Sequence, residues 1–469
     1  MQNQYVLEVT PLCGSGCPDP DPTQPSRAAP NIERKKDHFF SDPSDWKSLF
    51  FCGAFHAKKG TVGRQFSVVF TGYLHGDQVM NPFEERIQQF SAALSREKIE
   101  LCVVMQNVDL YYFTGTLTQG LLMVDDRGRY RFCVQKPISR ASQESRITPV
   151  VPVKGPRDWG PQLAEFMEGR QVAILGLETD VLPWDTAQRL QGLLPGARIA
   201  NVSHIIRRLR SVKDATELES IRSAGAILGD TFAALARFLK PGLRELEIAA
   251  FIERHMRLAG HQGVTRVRKF NMELYYGALG ISSSVRLPTL FDGPVGGKGL
   301  YAATPFFAGN AGFEQGDTLL VDLMAGVEGY LADATRTYAL DPVPEAVDRT
   351  HAVLLSIEEE VRQRLVPGTV PETLYQLALE RAAAAGMAEG FMGYGENQVK
   401  FLGHGLGLEI DELPVLAPRF SDPLQENMVV AVEPKYFDDT LCTGVEDTFI
   451  VTPEGGLNVI PYPPEVIHL

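Results

Sequence analysis

Five residues of metal-binding type stand in a fixed order through the last third of this 469-residue chain: Asp322, Asp333, His404, Glu433 and Glu446. Carboxylates with a single imidazole form a hard donor set, suited to Mn²⁺, Fe²⁺, Co²⁺ or Zn²⁺ rather than to a thiolate metal. The spacing of four of them predicts two hairpins. VDLMAGVEGYLADATRT (321–337) reads as strand, glycine-bounded turn, strand. With Val327 and Glu328 at the tip, Asp322 lies opposite Asp333. NMVVAVEPKYFDDTLCTGVEDTFIV (427–451) repeats the pattern around Asp439 and Thr440, which sets Glu433 opposite Glu446. Opposed side chains on one sheet face have Cβ atoms about 5 Å apart, where like charges repel. Buried without cations, two such pairs would be strongly destabilising. A dinuclear metal centre removes that cost.

The elements that must carry these residues are legible from periodicity. NPFEERIQQFSAALSREKIE (81–100) has helical spacing through Ile87, Phe90, Leu94 and Ile99, and LCVVMQ (101–106) reads as a buried strand. Alternation of this kind through Arg207 predicts an α/β domain over 80–207. The segment 207–239 reads as a charged linker entering a long helix, with Arg207, Arg208 and Arg210 on a solvated face. A helix at Arg244–Leu258, several strands and a helix near Val347–Leu365 complete an α+β domain over 208–469. Residues 1–79 open with a Pro/Asp/Ser-rich run (14–30) and show no clear period, so they are expected to lie outside the fold, with Met80 as the functional start.

Composition fits a globular enzyme: 44% hydrophobic and 22% charged residues are ordinary usage. The net charge of −13 argues against nucleic acid or an anionic membrane as the main partner. The six cysteines follow no framework or zinc spacing, which points to reduced thiols and a cytoplasmic location. No apolar run approaches the ~18 residues of a membrane span.

Four motifs carry a resemblance: VDLMAGVEGYLADATRT, GHGLGLEIDELP (403–414), VAVEPKYF (430–437) and GVEDTFIV (444–451). Together they resemble the pita-bread metallopeptidase superfamily, which holds methionine aminopeptidase, aminopeptidase P, prolidase and creatinase. RIQQFSAALSREKIELCVV (86–104) and NVDLYYFTGT (107–116) are similar to the creatinase/prolidase N-terminal domain. The resemblance implies a creatinase-like N-terminal α/β domain and an α+β pita-bread catalytic domain. It also implies two divalent metal ions, Mn²⁺ first, with Co²⁺, Fe²⁺ or Zn²⁺ as alternatives. Asp322 would hold one, His404 and Glu433 the other, with Asp333 and Glu446 bridging. Glu433 would shuttle protons for a metal-bridging hydroxide, and Thr335 would hydrogen-bond a ligand carboxylate. The implied substrate is a small peptide or amide, cleaved at a C–N bond by a prolidase- or aminopeptidase-P-like homodimer.

Departures from that pattern are informative. Asp411 stands where relatives carry a second histidine, and no histidine occurs between His261 and His351. Gly444 replaces an arginine, and Lys435 replaces a glycine after Glu-Pro. A carboxylate at 411 is suited to a positively charged group such as a substrate's α-amine, which makes Asp411 a candidate catalytic-site residue. A non-peptide amidohydrolase and a binding module that has lost its catalytic imidazoles are the alternative readings. DGPVGGKG (292–299) lacks the Ser/Thr of a P-loop, and His255 and His261, flanking a helix end, read as surface or capping residues rather than catalytic ones.

Overall fold

The computed structural model describes residues 81–469, together with the short antiparallel strands Gly53–Phe55 and Val68–Phe70. The remainder of 1–80, and with it the expectation made for that extension, lies outside the described residues. Asn81 caps the first helix, Pro82–Arg96, by accepting from the Phe83 N–H, and the helix buries Ile87, Phe90 and Leu94. It packs on a six-stranded mixed sheet in the order 150–152, 130–136, 119–125, 101–104, 174–177, 198–201. The central strand Leu101–Val104 is fully buried, as its unbroken apolar run requires. Cys102 and Cys133 of this sheet, and Cys442, are buried free thiols.

The helix Ala215–Phe238 begins at a capping box, with Asp214 accepting from the Thr216 and Glu217 N–H groups and Glu217 returning to the Asp214 N–H. Its apolar side covers the first hairpin. That hairpin, Thr318–Val327 and Tyr330–Ala339, is the centre of a four-stranded sheet. A second, five-stranded sheet runs 412–416, 403–405, 429–432, 447–452, 455–458. The helices Ala346–Arg362 and Pro371–Ala384 supply its other apolar layer. Among the described residues no helix is long and apolar enough to cross a membrane.

Arg210 corrects the expectation of a solvated linker face. It is 2% exposed and pairs with Asp109 at 2.6 Å, Glu412 at 2.5 Å and Glu409 at 2.9 Å. Arg268 adds contacts to Asp109 and Asp180. Burial alone would raise Asp109, but the two guanidinium groups hold it below the usual carboxylate range. This network joins the α/β domain to the segment 409–412 that carries Asp411.

Candidate metal centre

Two hairpins meet through one backbone pair. The Thr335 N–H donates to the Glu446 carbonyl at 3.1 Å and the Glu446 N–H returns to Thr335 at 3.3 Å. Arg336, fully buried beneath, donates to the Thr335 and Glu446 carbonyls and pairs with Asp447 at 2.7 Å. Thr448 Oγ1 accepts from the Asp333 N–H and donates to its carbonyl. These bonds fix both acidic pairs on one wall.

The second hairpin keeps the expected register, pairing Val432 with Asp447 and Lys435 with Gly444, so Glu433 falls opposite Glu446. The first is shifted by two residues: Asp322 faces Thr335, and Asp333 faces Met324. Its turn is centred on Glu328 and Gly329, both at positive φ (49° and 89°), the conformation of a tight two-residue hairpin turn. Asp322 and Asp333 therefore sit diagonally on the same face. His404 arrives on the strand Gly403–Gly405, paired with Ala431, and the Glu433 N–H donates to the Leu402 carbonyl.

All five residues, with Asp411, line one pocket. Ligand atoms of Asp333, His404 and Glu446 lie within 4.8 Å of one another. His404 Nε2 is 3.9 Å from Asp333 Oδ2 and 3.7 Å from Glu433 Oε1. Thr335 Oγ1 donates to Glu446 Oε2 at 2.8 Å. Burial pushes Asp322 up to about 6 and Glu433 up to about 7, the latter in spite of a lysine alongside. Burial and then Glu446 push Asp333 well above the carboxylate range. For His404, burial works against the charge, but Asp411 and Glu433 outweigh it and raise the imidazole. The wall is short of positive charge.

One cation is built in. Lys435, fully buried, places Nζ 2.6 Å from Glu433 Oε2, 2.8 Å from Glu446 Oε2 and 3.5 Å from Asp322. Its substitution for glycine was visible in the sequence; its position among the ligands was not. The donor set fits one divalent ion at Asp333, His404 and Glu446, where Asp333 Oδ1 is buried without a partner. It does not fit a second ion beside Asp322, because the ammonium occupies the oxygens that ion would use.

The remaining pocket wall is mostly apolar apart from Asp292, with Phe291, Phe306, Phe307 and Phe401 as its aromatic members. The glycine-rich 292–296 stretch lies in this wall, where Gly296 lets the Leu287 carbonyl approach to within a distance no Cβ would tolerate. Glu245 ties together Ile281 and Gly309, which flank the longer stretch 281–309, by accepting from both N–H groups. His261, expected at the surface or in a cap, is instead buried and accepts the Gly326 N–H at Nδ1, because it packs against the first hairpin rather than facing solvent. Asp411 is exposed at the pocket mouth.

Residues 219–453 match metallopeptidase family M24, and 86–212 match the creatinase/prolidase N-terminal domain. The chain belongs to family M24. Among similar proteins, an uncharacterized peptidase, YqhT, of Bacillus subtilis is 27% identical over 65% of this chain and 78% of its own. An Xaa-Pro dipeptidase of Pyrococcus horikoshii is 24% identical over 80% of this chain and 97% of its own. The solved Xaa-Pro dipeptidase from Bacillus anthracis superposes with a TM-score of 0.70 at 23% identity, over 82% of this chain and all of that one. The Pyrococcus horikoshii prolidase structure gives 0.67 at 22%, with the same coverage. The chain is thus a creatinase-type N-terminal domain followed by a pita-bread catalytic domain.

Proposed function

We propose that this M24 chain hydrolyses a C–N amide bond in short peptides, as a prolidase- or aminopeptidase-P-like peptidase dependent on a divalent ion. The observation that carries the reading is the convergence of Asp333, His404 and Glu446 at the base of an apolar pocket, with Asp333 Oδ1 unpartnered. Mn²⁺, Co²⁺, Fe²⁺ or Zn²⁺ suits those donors, manganese first. When bound, such an ion would polarise the scissile carbonyl and acidify a coordinated water. Glu433, whose Oε1 faces His404, takes the water's proton and returns it to the leaving nitrogen. Asp411 at the mouth holds the substrate's α-ammonium by a charge-assisted contact. The phenylalanines receive an apolar side chain and exclude water, and the Xaa-Pro dipeptidases among the relatives point to proline on the leaving side. A cytoplasmic homodimer belongs to the same reading.

A second reading, a binding module with little hydrolytic activity, is favoured by Lys435 among the carboxylates and by His404 being, among the described residues, the sole imidazole lining the pocket. Purified full-length protein, supplied with Mn²⁺ or Co²⁺, should release proline from Xaa-Pro dipeptides. Metal binding without any peptide turnover would favour the binding module. Cleavage confined to N-acylated substrates would favour a non-peptide amidohydrolase.

A further inference from the structure

Four carboxylates converge on one wall, and a dinuclear centre would neutralise them with two dications. Here the wall already contains an ammonium ion. Lys435 is fully buried, and its three N–H donors face three carboxylates, Glu433, Glu446 and Asp322. A divalent ion binds carboxylate oxygen at about 2.0–2.2 Å. An ion bonded to the same Glu433 and Glu446 oxygens would have to overlap Nζ. The lysine is also accommodated by design of its neighbour. Gly444 lies directly across the hairpin, and a Cβ there would come 2.6 Å from Lys435 Cγ.

We propose that the Lys435 ammonium permanently replaces one of the two divalent ions, so that the chain binds a single ion, on Asp333, His404 and Glu446. Charge balance agrees. Against four carboxylates, one dication with the ammonium leaves one net negative charge, as two dications with a bridging hydroxide would. One ligand atom each of Asp333, His404 and Glu446 lies within 4.8 Å of the others, and Asp333 Oδ1 is buried without a partner, which leaves those three residues for the single ion. Asp322 passes from metal ligand to partner of the lysine. The inference rests on the reading of this pocket as a metal site and is independent of whether amide hydrolysis occurs.

The test is metal content after EDTA treatment of the full chain, loading with Mn²⁺ and removal of excess. The wild type should hold one manganese per chain and give the six-line electron paramagnetic resonance signal of an isolated ion. Asp322→Asn should still hold one, His404→Ala none, and Lys435→Gly two, with a spin-coupled spectrum. A wild type that binds two ions, or shows a coupled pair, overturns the proposal, as does a wild type that binds none. Should Lys435→Gly fail to fold, the wild-type ratio and spectrum, with Asp322→Asn, decide alone: loss of the ion in Asp322→Asn also overturns it.

Discussion

Lys435 and Gly444 face each other across the second hairpin, and the lysine stem fills the space that any side chain at 444 would need. Two departures from the family pattern, a lysine for a glycine and a glycine for an arginine, are thus one structural event. Gly444→Ala should cost roughly 1–3 kcal/mol in urea denaturation with EDTA present, as overpacked sites do. In a Lys435→Gly background that cost should shrink by about 1 kcal/mol or more. Additive effects of the two substitutions would show that the residues are not coupled.

Arg210→Met should be among the most destabilising changes outside the pocket. It strands Asp109, Glu409 and Glu412 without their shared guanidinium, and breaking a buried pair in this way costs about 3–5 kcal/mol. Chemical denaturation would measure it. A change under about 1 kcal/mol would mean that Arg268, with Lys213 whose Nζ lies 3.4 Å from Glu412 Oε2, suffices for those carboxylates.

Stability should fall on the acid side through a defined window. Burial, and then Arg257, bring His261 down to about 4, and burial lowers His351 as well. Both are folded as neutral imidazoles, so the unfolded chain takes up protons first. The His261 contribution is complete above the ordinary histidine value near 6.5 and is lost as pH falls toward 4, at most about 3 kcal/mol, and His351 adds to the loss on the acid side. His261→Asn, whose amide oxygen can still accept the Gly326 N–H, should show a shallower decline in melting temperature between pH 6.5 and 4. Parallel curves for variant and wild type would assign the decline to other groups.

If Asp411 holds a substrate ammonium, Asp411→Asn should raise KM for peptides with a free N-terminus by roughly tenfold, with kcat much less affected. N-acetylated peptides should be poor substrates of the wild type. Unchanged kinetics in the variant, or a preference for acylated substrates, would remove this role.

Residues 81–469 close their own apolar cores. A chain starting at Met80 is therefore expected to keep the full-length melting temperature and metal content. Insoluble expression of that form would show that the first 79 residues support the fold.

That Asp322, Asp333, His404, Glu433 and Glu446 would share one pocket was legible because the five keep their order through strands whose periodicity is plain. The second hairpin's register was legible too. Asp438 Oδ1 accepts from the Thr440 and Leu441 N–H groups, a short polar turn that the local sequence announces. In the first hairpin the turn chemistry decides differently: Gly329 takes the second left-handed position, which moves the tip one residue along and the pairing by two. Arg210 was misread because its partners lie 101 and 202 residues away in sequence, beyond any local pattern. For Lys435 the sequence marked an anomaly, but only the hairpin geometry tells which way a long side chain turns.

The position Lys435 fills also changes what the pocket requires from its surroundings. A bound ion comes and goes with its free concentration, and a chelator can strip it. An ammonium group tethered to its own strand has, in effect, no dissociation constant: it is delivered when the hairpin closes and leaves only when the hairpin opens. Part of the electrostatic balance of this centre is therefore inherited with the polypeptide, and metal starvation can remove only the remainder.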